Sequence, residues 1–460
     1  MHVTFSGAAR EVTGSCHLLT VGDHTVALDC GLFQGHRAQS REKNARFPIP
    51  PDRLSAIVLS HAHIDHAGRL PYVARLGFKG TVWTTPATRD LCDVMLMDSA
   101  FIQEKDAEFL RRRGAAVIEP LYTTADIPPL MQQVKTKPYG ESFQVVPGMR
   151  ATYVDAGHIL GSASVVLECT EGSRTRRLIF SGDIGRWGQP IIRDPQPPGG
   201  GDVVIMESTY GDRDHPKLSD MRNRLASIVS ETAARGGRVI IPAFAVGRTQ
   251  ELVYDLHALM RDRRIPGVPI YIDSPLASLA TAVFASHPEV YDETEHMVGT
   301  VKELFQFERL HYTKDVSESK ALNTQRGPMV IISPSGMAEV GRIQHHLLNG
   351  AGDPRNTILI VGFQAEHTLG RRIVERRETL RIFGEEVPLK ARVEVLNGYS
   401  AHGDRSELGR WLDLVRGASP KPPPVWLVHG EPPAQEAFAA RIRERGHAVS
   451  IPAPGDAATL

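Results

Sequence analysis

The stretch "IVLSHAHIDHAGRLP" packs His61, His63, Asp65 and His66 into six positions directly after an apolar run. Three imidazoles and a carboxylate this close together suit metal chemistry better than ordinary surface polarity. A short turn after a strand aims alternate side chains in one direction, so His61 and His63 are placed to share one metal ion. Asp65 and His66, where the backbone turns towards a helix, are then placed to address a second ion nearby. Imidazole with carboxylate and no cysteine suits zinc or manganese in a site that keeps a water. The remaining ligands must come from other strand ends. "YVDAGHILG" offers His158, "LIFSGDIGR" offers Asp183 and "VWLVHGE" offers His429, each beside a glycine that lowers backbone crowding. "VALDCG" puts Asp29 at a further strand end. A buried carboxylate is costly unless bonded, so Asp29 is expected either to accept a hydrogen bond from a ligand imidazole or to cap a turn. Cys30 reads as a small buried residue rather than a ligand.

Short extended runs dominate the first two hundred residues, among them "HLLTVGDHTVALDCG", "FQVVPGMRATYVDAG" and "ASVVLECTEGSRTRRLIFSGD". Turns such as "VGD" and "EGS" read as hairpins. A helical stretch from about Pro86 to Arg113 interrupts them. After Gly211 the texture changes. Four buried-looking strands, "GRVIIPAF", "VPIYIDSP", "GPMVIISPSG" and "NTILIVGFQ", alternate with helical patterns, which predicts a parallel sheet covered on both faces. Beyond about residue 390 the hairpin-like texture returns in "LKARVEVLNGYSAHGD". The middle block therefore reads as a domain inserted into another, with 1–212 and 393–460 as the two parts of the host and 213–392 as the insert.

At 460 residues the chain is long enough for two or three domains. A 41 % hydrophobic and 23 % charged composition is that of a globular protein, and the formal net charge of +0 announces no global nucleic-acid-binding field. Cys16, Cys30, Cys92 and Cys169 are scattered without a CxxC pair, which suits a reducing compartment and argues against a disulfide framework or a thiolate zinc site. With no secretory signal and no apolar run of membrane-spanning length, a cytoplasmic location without membrane association is expected.

The hexapeptide, with Asp29 before it and His158, Asp183 and His429 after it, resembles the metallo-β-lactamase superfamily in its dinuclear form. The insert resembles the β-CASP domain. Its markers are "ESTYGDR" at 207–213 with Glu207, "GYSAHGD" at 398–404 with His402, and "LVHGE" with His429, in the family's order along nearly the whole chain. The resemblance implies an α/β fold, a metallo-β-lactamase αββα sandwich interrupted by a parallel-sheet β-CASP domain, and a ribonuclease similar to the endonuclease of pre-mRNA 3′-end cleavage and its bacterial and archaeal relatives. It also implies two zinc ions per chain, with manganese as the alternative. His61, His63 and His158 would hold one, Asp65, His66 and His429 the other, and Asp183 would bridge them.

Such a pair, about 3.5 to 4 Å apart, supplies a hydroxide at neutral pH and relieves charge on the phosphate oxygens. His402 is the candidate general acid for the leaving 3′ oxygen, held charged and oriented by Glu207. Asp183 and Asp29 complete the expected catalytic set. Phosphate contacts are expected from the insert: Arg248 at a helix start in "PAFAVGRTQE", Ser335, Gly336 and Arg342 in "SPSGMAEVGR", and Thr368, Arg371 and Arg372 in "HTLGRR". His367 stands where relatives often have glycine, and His345 and His346 read as packing or surface residues. The expected partner is single-stranded RNA, cut internally or from its 5′ end, and a homodimer is left open. Competing readings are a DNA nuclease, a small-molecule hydrolase of the same superfamily, and a non-catalytic RNA-binding scaffold, which the complete ligand set disfavours.

Overall fold

The computed structural model describes residues 1–35, 37–112, 119–292, 304–362, 364, 368–417 and 421–460. His367 lies outside them. The chain divides into two compact units. One comprises Met1–Gly188, Arg193–Asp214 and His402–Leu460, the other Gln189–Ile192 and His215–Ala401.

The first unit is built on two seven-stranded sheets. One runs in the order Ala457–Thr459, His2–Gly7, Cys16–Val21, His24–Leu28, Ala56–Val58, Thr81–Thr84, Val134–Thr136. The other runs Val449–Ser450, Val425–Val428, Val203–Glu207, Arg174–Phe180, Ala163–Glu171, Met149–Asp155, Ser142–Val146. The period of two along a strand explains why the sheets stack. In Val203–Glu207, Val203 and Ile205 point into a core shared with Val3, Phe5, Leu19, Val26, Tyr153, Val165 and Phe180 from both sheets. The alternate residues Val204 and Met206 face outwards, against Trp411, Leu412, Phe438 and Ile442. Those four come from the helices Arg405–Arg416 and Pro432–Glu444, which cover the second sheet. The long helix Pro86–Arg112 meets the edge strand Val134–Thr136 of the first. The result is an αββα sandwich.

The second unit holds a six-stranded, wholly parallel sheet in the order Leu310–Tyr312, Ile270–Ile272, Met329–Ser333, Arg238–Pro242, Thr357–Ile360, Arg392–Val395. Its central strand Met329–Ser333 is buried at every position, as an apolar run covered on both faces requires. The run at 392–395 differs from expectation. It does not return to hairpin texture but pairs in parallel with Thr357–Ile360, Thr357 opposite Arg392. The hairpin lies earlier, as Thr379–Ile382 with Glu385–Pro388.

Candidate metal centre

Every candidate ligand lies in the first unit, just past the carboxyl end of a strand. His61 and His63 follow Ala56–Val58, and a four-residue helix, Ile64–Ala67, then carries Asp65 and His66. His158 follows Met149–Asp155, Asp183 follows Arg174–Phe180 and His429 follows Val425–Val428. The loops are nested backbone against backbone. A Cβ on Gly31 would sit 1.6 Å from the carbonyl oxygen of Asp65, so only glycine lets the Asp29 loop lie against that helix. Asp29 and His429 hold left-handed backbones, φ 61° and 48°, which side-chain-bearing residues rarely adopt. Hydrogen bonds over-determine them: Asp29 N donates to Val58 O at 3.0 Å and His429 N to Ala8 O at 2.6 Å.

The ligand atoms converge. His61 Nε2 and His158 Nε2 each lie 3.1 Å from His63 Nδ1. Asp183 Oδ2 is 3.4 Å from His61 Nε2, 3.4 Å from His158 Nε2 and 3.3 Å from His66 Nε2. His429 Nε2 is 3.2 Å from His66 Nε2 and 3.5 Å from Asp65 Oδ2. Tetrahedral ligands 2.0–2.1 Å from zinc stand roughly 3.3 Å apart, so these spacings fit cations better than protons. Asp183 Oδ1 is buried and has no hydrogen-bond partner among the described residues, as expected of an oxygen aimed at a cation. Among the described residues three groups of ligand atoms lie close enough to hold a cation: His61, His63, His158 and Asp183; Asp65, His66 and His429; and Asp183, His402 and His429.

Supporting groups fix the rings. Asp29, fully buried, lies 2.7 Å through Oδ2 from His66 Nδ1 and accepts from Ser60 N at 2.8 Å and Ser60 Oγ at 2.9 Å. Ser60 Oγ is in turn 3.0 Å from His61 Nδ1, and Thr209 Oγ1 is 3.0 Å from His429 Nδ1. Sequence reasoning missed Ser60 and Thr209, because a hydroxyl beside a ligand has no spacing of its own. With Nδ1 occupied, the Nε2 atoms of these rings are left facing the cluster.

Burial, and the neighbouring His66, hold His61 well below the ordinary imidazole range, and burial pulls His63 down to about 4. His158 is likewise held well below, by burial first and then by His402. His66 goes the other way. Burial opposes its charge, but Asp183 and Asp29 outweigh it and raise His66 well above the ordinary value. Near neutral pH the three lowered imidazoles are ready ligands, while His66 carries a proton that a cation must displace. Zinc binding is therefore expected to release a proton and to weaken as pH falls. Calorimetry in buffers of different ionisation enthalpy measures that release, and none at pH 7 would contradict it.

Beside the cluster, His402 Nδ1 is 3.0 Å from Glu207 Oε1, and its Nε2 lies 3.8 Å from Asp183 Oδ2. Glu207 ends the strand Val203–Glu207 and is fully buried, its Oε1 also accepting from Ile184 N at 2.7 Å. Burial disfavours a charged His402, yet Glu207 and Asp183 prevail and raise it to about 9. His402 remains 20 % exposed and Asp65 22 % exposed, so solvent reaches the cluster at both side chains.

The seven residues expected to contact phosphate all lie in the second unit, Arg372 as an exposed residue of the helix Leu369–Val374. Arg248 is buried and tied to Glu251, an i,i+3 ion pair. Arg342 Nη1 donates to Asp273 Oδ1 at 2.7 Å and to Thr313 Oγ1 at 3.1 Å. Ser335 Oγ accepts from the backbone of Glu339 at 3.1 Å, Gly336 packs on Phe244, and Thr368 caps the helix Leu369–Val374. Arg371 pairs with Glu375 at 2.9 Å. His346 is a core residue, bonded to the buried Asp273 at 2.6 Å. His345 packs beside Phe383.

Comparison with known proteins decides the family. The metallo-β-lactamase superfamily profile matches residues 9–215, the Beta-Casp domain profile residues 249–373, and that of the Zn-dependent metallo-hydrolase RNA specificity domain residues 386–452. Ribonuclease TTHA0252 of Thermus thermophilus is 37 % identical over 452 residues, covering 98 % of each chain. The chain belongs to the β-CASP branch of the metallo-β-lactamase superfamily. This β-CASP protein is also similar to transcription termination factor FttA of Methanosarcina mazei, 31 % identical over 97 % of this chain and 69 % of that protein. FttA of Pyrococcus abyssi is 32 % identical over 100 % and 71 %. Among solved structures, a protein of unknown function from Enterococcus faecalis V583 shares the fold, with a TM-score of 0.55 at 12 % identity, covering 100 % of this chain and 99 % of that one. No helix of the described β-CASP chain is long and apolar enough to cross a membrane.

Proposed function

We propose that this β-CASP protein is a metal-dependent ribonuclease that hydrolyses phosphodiester bonds of single-stranded RNA. The convergence of seven imidazole and carboxylate ligands, Asp183 among them, with a carboxylate-held His402 beside them, carries the reading. His61, His63 and His158 would hold one zinc, Asp65, His66 and His429 the other, with Asp183 shared. When bound, the two cations acidify the attacking water and screen the phosphate charge. His402 then protonates the leaving 3′ oxygen through Nε2, while Glu207 fixes the opposite ring nitrogen. Glu207 and Asp183 keep His402 in the protonated form that this step consumes. Asp29 and Ser60 hold the ligand rings in register, and Arg342, Arg371, Thr368, Ser335, Gly336 and Arg248 are the proposed phosphate contacts. The four cysteines are free and buried, which supports a cytoplasmic setting.

The chemistry of the cut ends tests the proposal. Water attack with departure of the 3′ oxygen leaves a 5′-phosphate and a 3′-hydroxyl, and in H₂¹⁸O the label enters the 5′-phosphate. A 2′,3′-cyclic phosphate would mean attack by the neighbouring 2′-hydroxyl and would rule this mechanism out. A DNA strand of the same sequence, cut equally fast, would favour the broader nuclease reading.

A further inference from the structure

In the second unit the chain crosses its parallel sheet in two directions. From Arg238–Pro242 it moves to Ile270–Ile272 on one side, and from Met329–Ser333 it moves to Thr357–Ile360 on the other. Arg238–Pro242 and Met329–Ser333 are hydrogen-bonded neighbours, so their carboxyl ends form a topological switch point. In open α/β sheets, ligands bind in the crevice outside such a point. Phe244 sits in the loop after the first strand and Ser335 to Arg342 in the loop after the second.

Phe244 is 47 % exposed, although its backbone is tied down. Thr249 Oγ1 donates to its carbonyl at 2.8 Å, and Gln250 Nε2 donates to the next carbonyl, of Ala245, at 3.2 Å. The ring packs on the α-carbon of Gly336, where a Cβ would lie 2.9 Å from two ring carbons. Gln364 Nε2 holds the Gly336 carbonyl at 2.9 Å. A large apolar ring is thus fixed at solvent at the switch point, in the loop pair that also carries Arg342, itself anchored by Asp273. Phe101 and Phe383 are also exposed, but they lie on a long helix and in a hairpin turn, not in the loops that follow these two strands.

We propose that Phe244 is a stacking platform for one base of the single-stranded RNA, with Arg342 contacting the adjoining phosphate; this rests on the ribonuclease reading. A fixed ring accepts any base, because every base has a π face, so the platform would grip RNA without reading its sequence. The ring's support also explains why residue 336 is glycine.

The test compares wild type, Phe244→Ala, Phe244→Leu and Phe244→Tyr on an intact RNA and on RNAs carrying one abasic position each. Removing the ring is expected to raise Kd and KM on the order of tenfold, with kcat changed far less. Phe244→Leu, which keeps apolar bulk, should behave as Phe244→Ala, and Phe244→Tyr should restore wild-type affinity. In wild type one abasic position should cost a similar factor, and in Phe244→Ala that position should cost nothing more. Wild-type affinity in Phe244→Ala or Phe244→Leu would overturn the platform while leaving the nuclease reading intact. So would abasic losses unchanged by the mutation, which would make the exposed ring a packing or protein-docking feature. Failure of wild type to cut any RNA is read from its own lane and strikes the ribonuclease reading instead.

Discussion

Asp183→Ala is expected to leave the protein folded, to empty at least one metal position and to slow RNA cleavage on the order of a thousandfold or more. The reason lies in how many groups depend on one carboxylate. Its Oδ2 stands within 3.4 Å of three ligand nitrogens, from His61, His66 and His158. Without it, these buried imidazoles face one another with no negative charge to gather two cations. Burial alone would raise Asp183, yet His429, His66, His402 and His61 hold it well below the ordinary carboxylate range. It therefore stays ionised across the working pH range. Asp183→Asn keeps the shape and loses the charge, so it separates charge from packing and is expected to fail nearly as badly. Metal content by elemental analysis beside cleavage rate measures both effects. Two metals retained in Asp183→Ala would contradict the shared-ligand role.

His402→Ala is expected to keep both metals and to lower kcat by about 10²- to 10⁴-fold, the range for loss of a positioned general acid. The ring borders Asp183 and His429 closely enough to be a ligand itself, so metal content decides between the roles. Glu207→Gln should act through the same ring. Glu207 helps to raise His402, so its neutralisation lowers the His402 pKa. The acid must be protonated to act, so the alkaline limb of the kcat profile should move to lower pH. Bound cations push the same way, placing that limb below about 9 in the loaded enzyme. A limb unmoved in Glu207→Gln would remove Glu207 from the proton-transfer step.

The sequence made the centre of this site readable because four candidate ligands fall in one hexapeptide. His158, Asp183 and His429 were weak signals alone, each a polar residue after a strand beside a glycine, and gained meaning through the motifs around them. Thr209 stayed hidden because its partner His429 is 220 residues away, a distance no local pattern encodes, and Ser60 because a serine beside a histidine is too common a pair to mark a site. The partner of Arg248 was in plain view: Glu251 stands three residues on, and the pair forms inside the helix. That of Arg342 was not, since Asp273 arrives from another strand. The inserted sheet announced itself through four apolar runs, whereas Arg392–Val395 is exposed at two of its four positions and so lacked the signature of a buried parallel strand.

The most direct test of the central claim is one gel of a 5′-labelled single-stranded RNA. Its lanes hold the zinc-loaded protein, the same protein stripped by chelator, the stripped protein with zinc restored, Asp183→Ala and His402→Ala. Cutting by the loaded and restored protein, with the other three lanes intact at matched times, is the predicted result, and fragment lengths separate internal from end-first cleavage. RNA left whole by protein shown to hold two zinc ions, or cut equally well after chelation, would contradict the account.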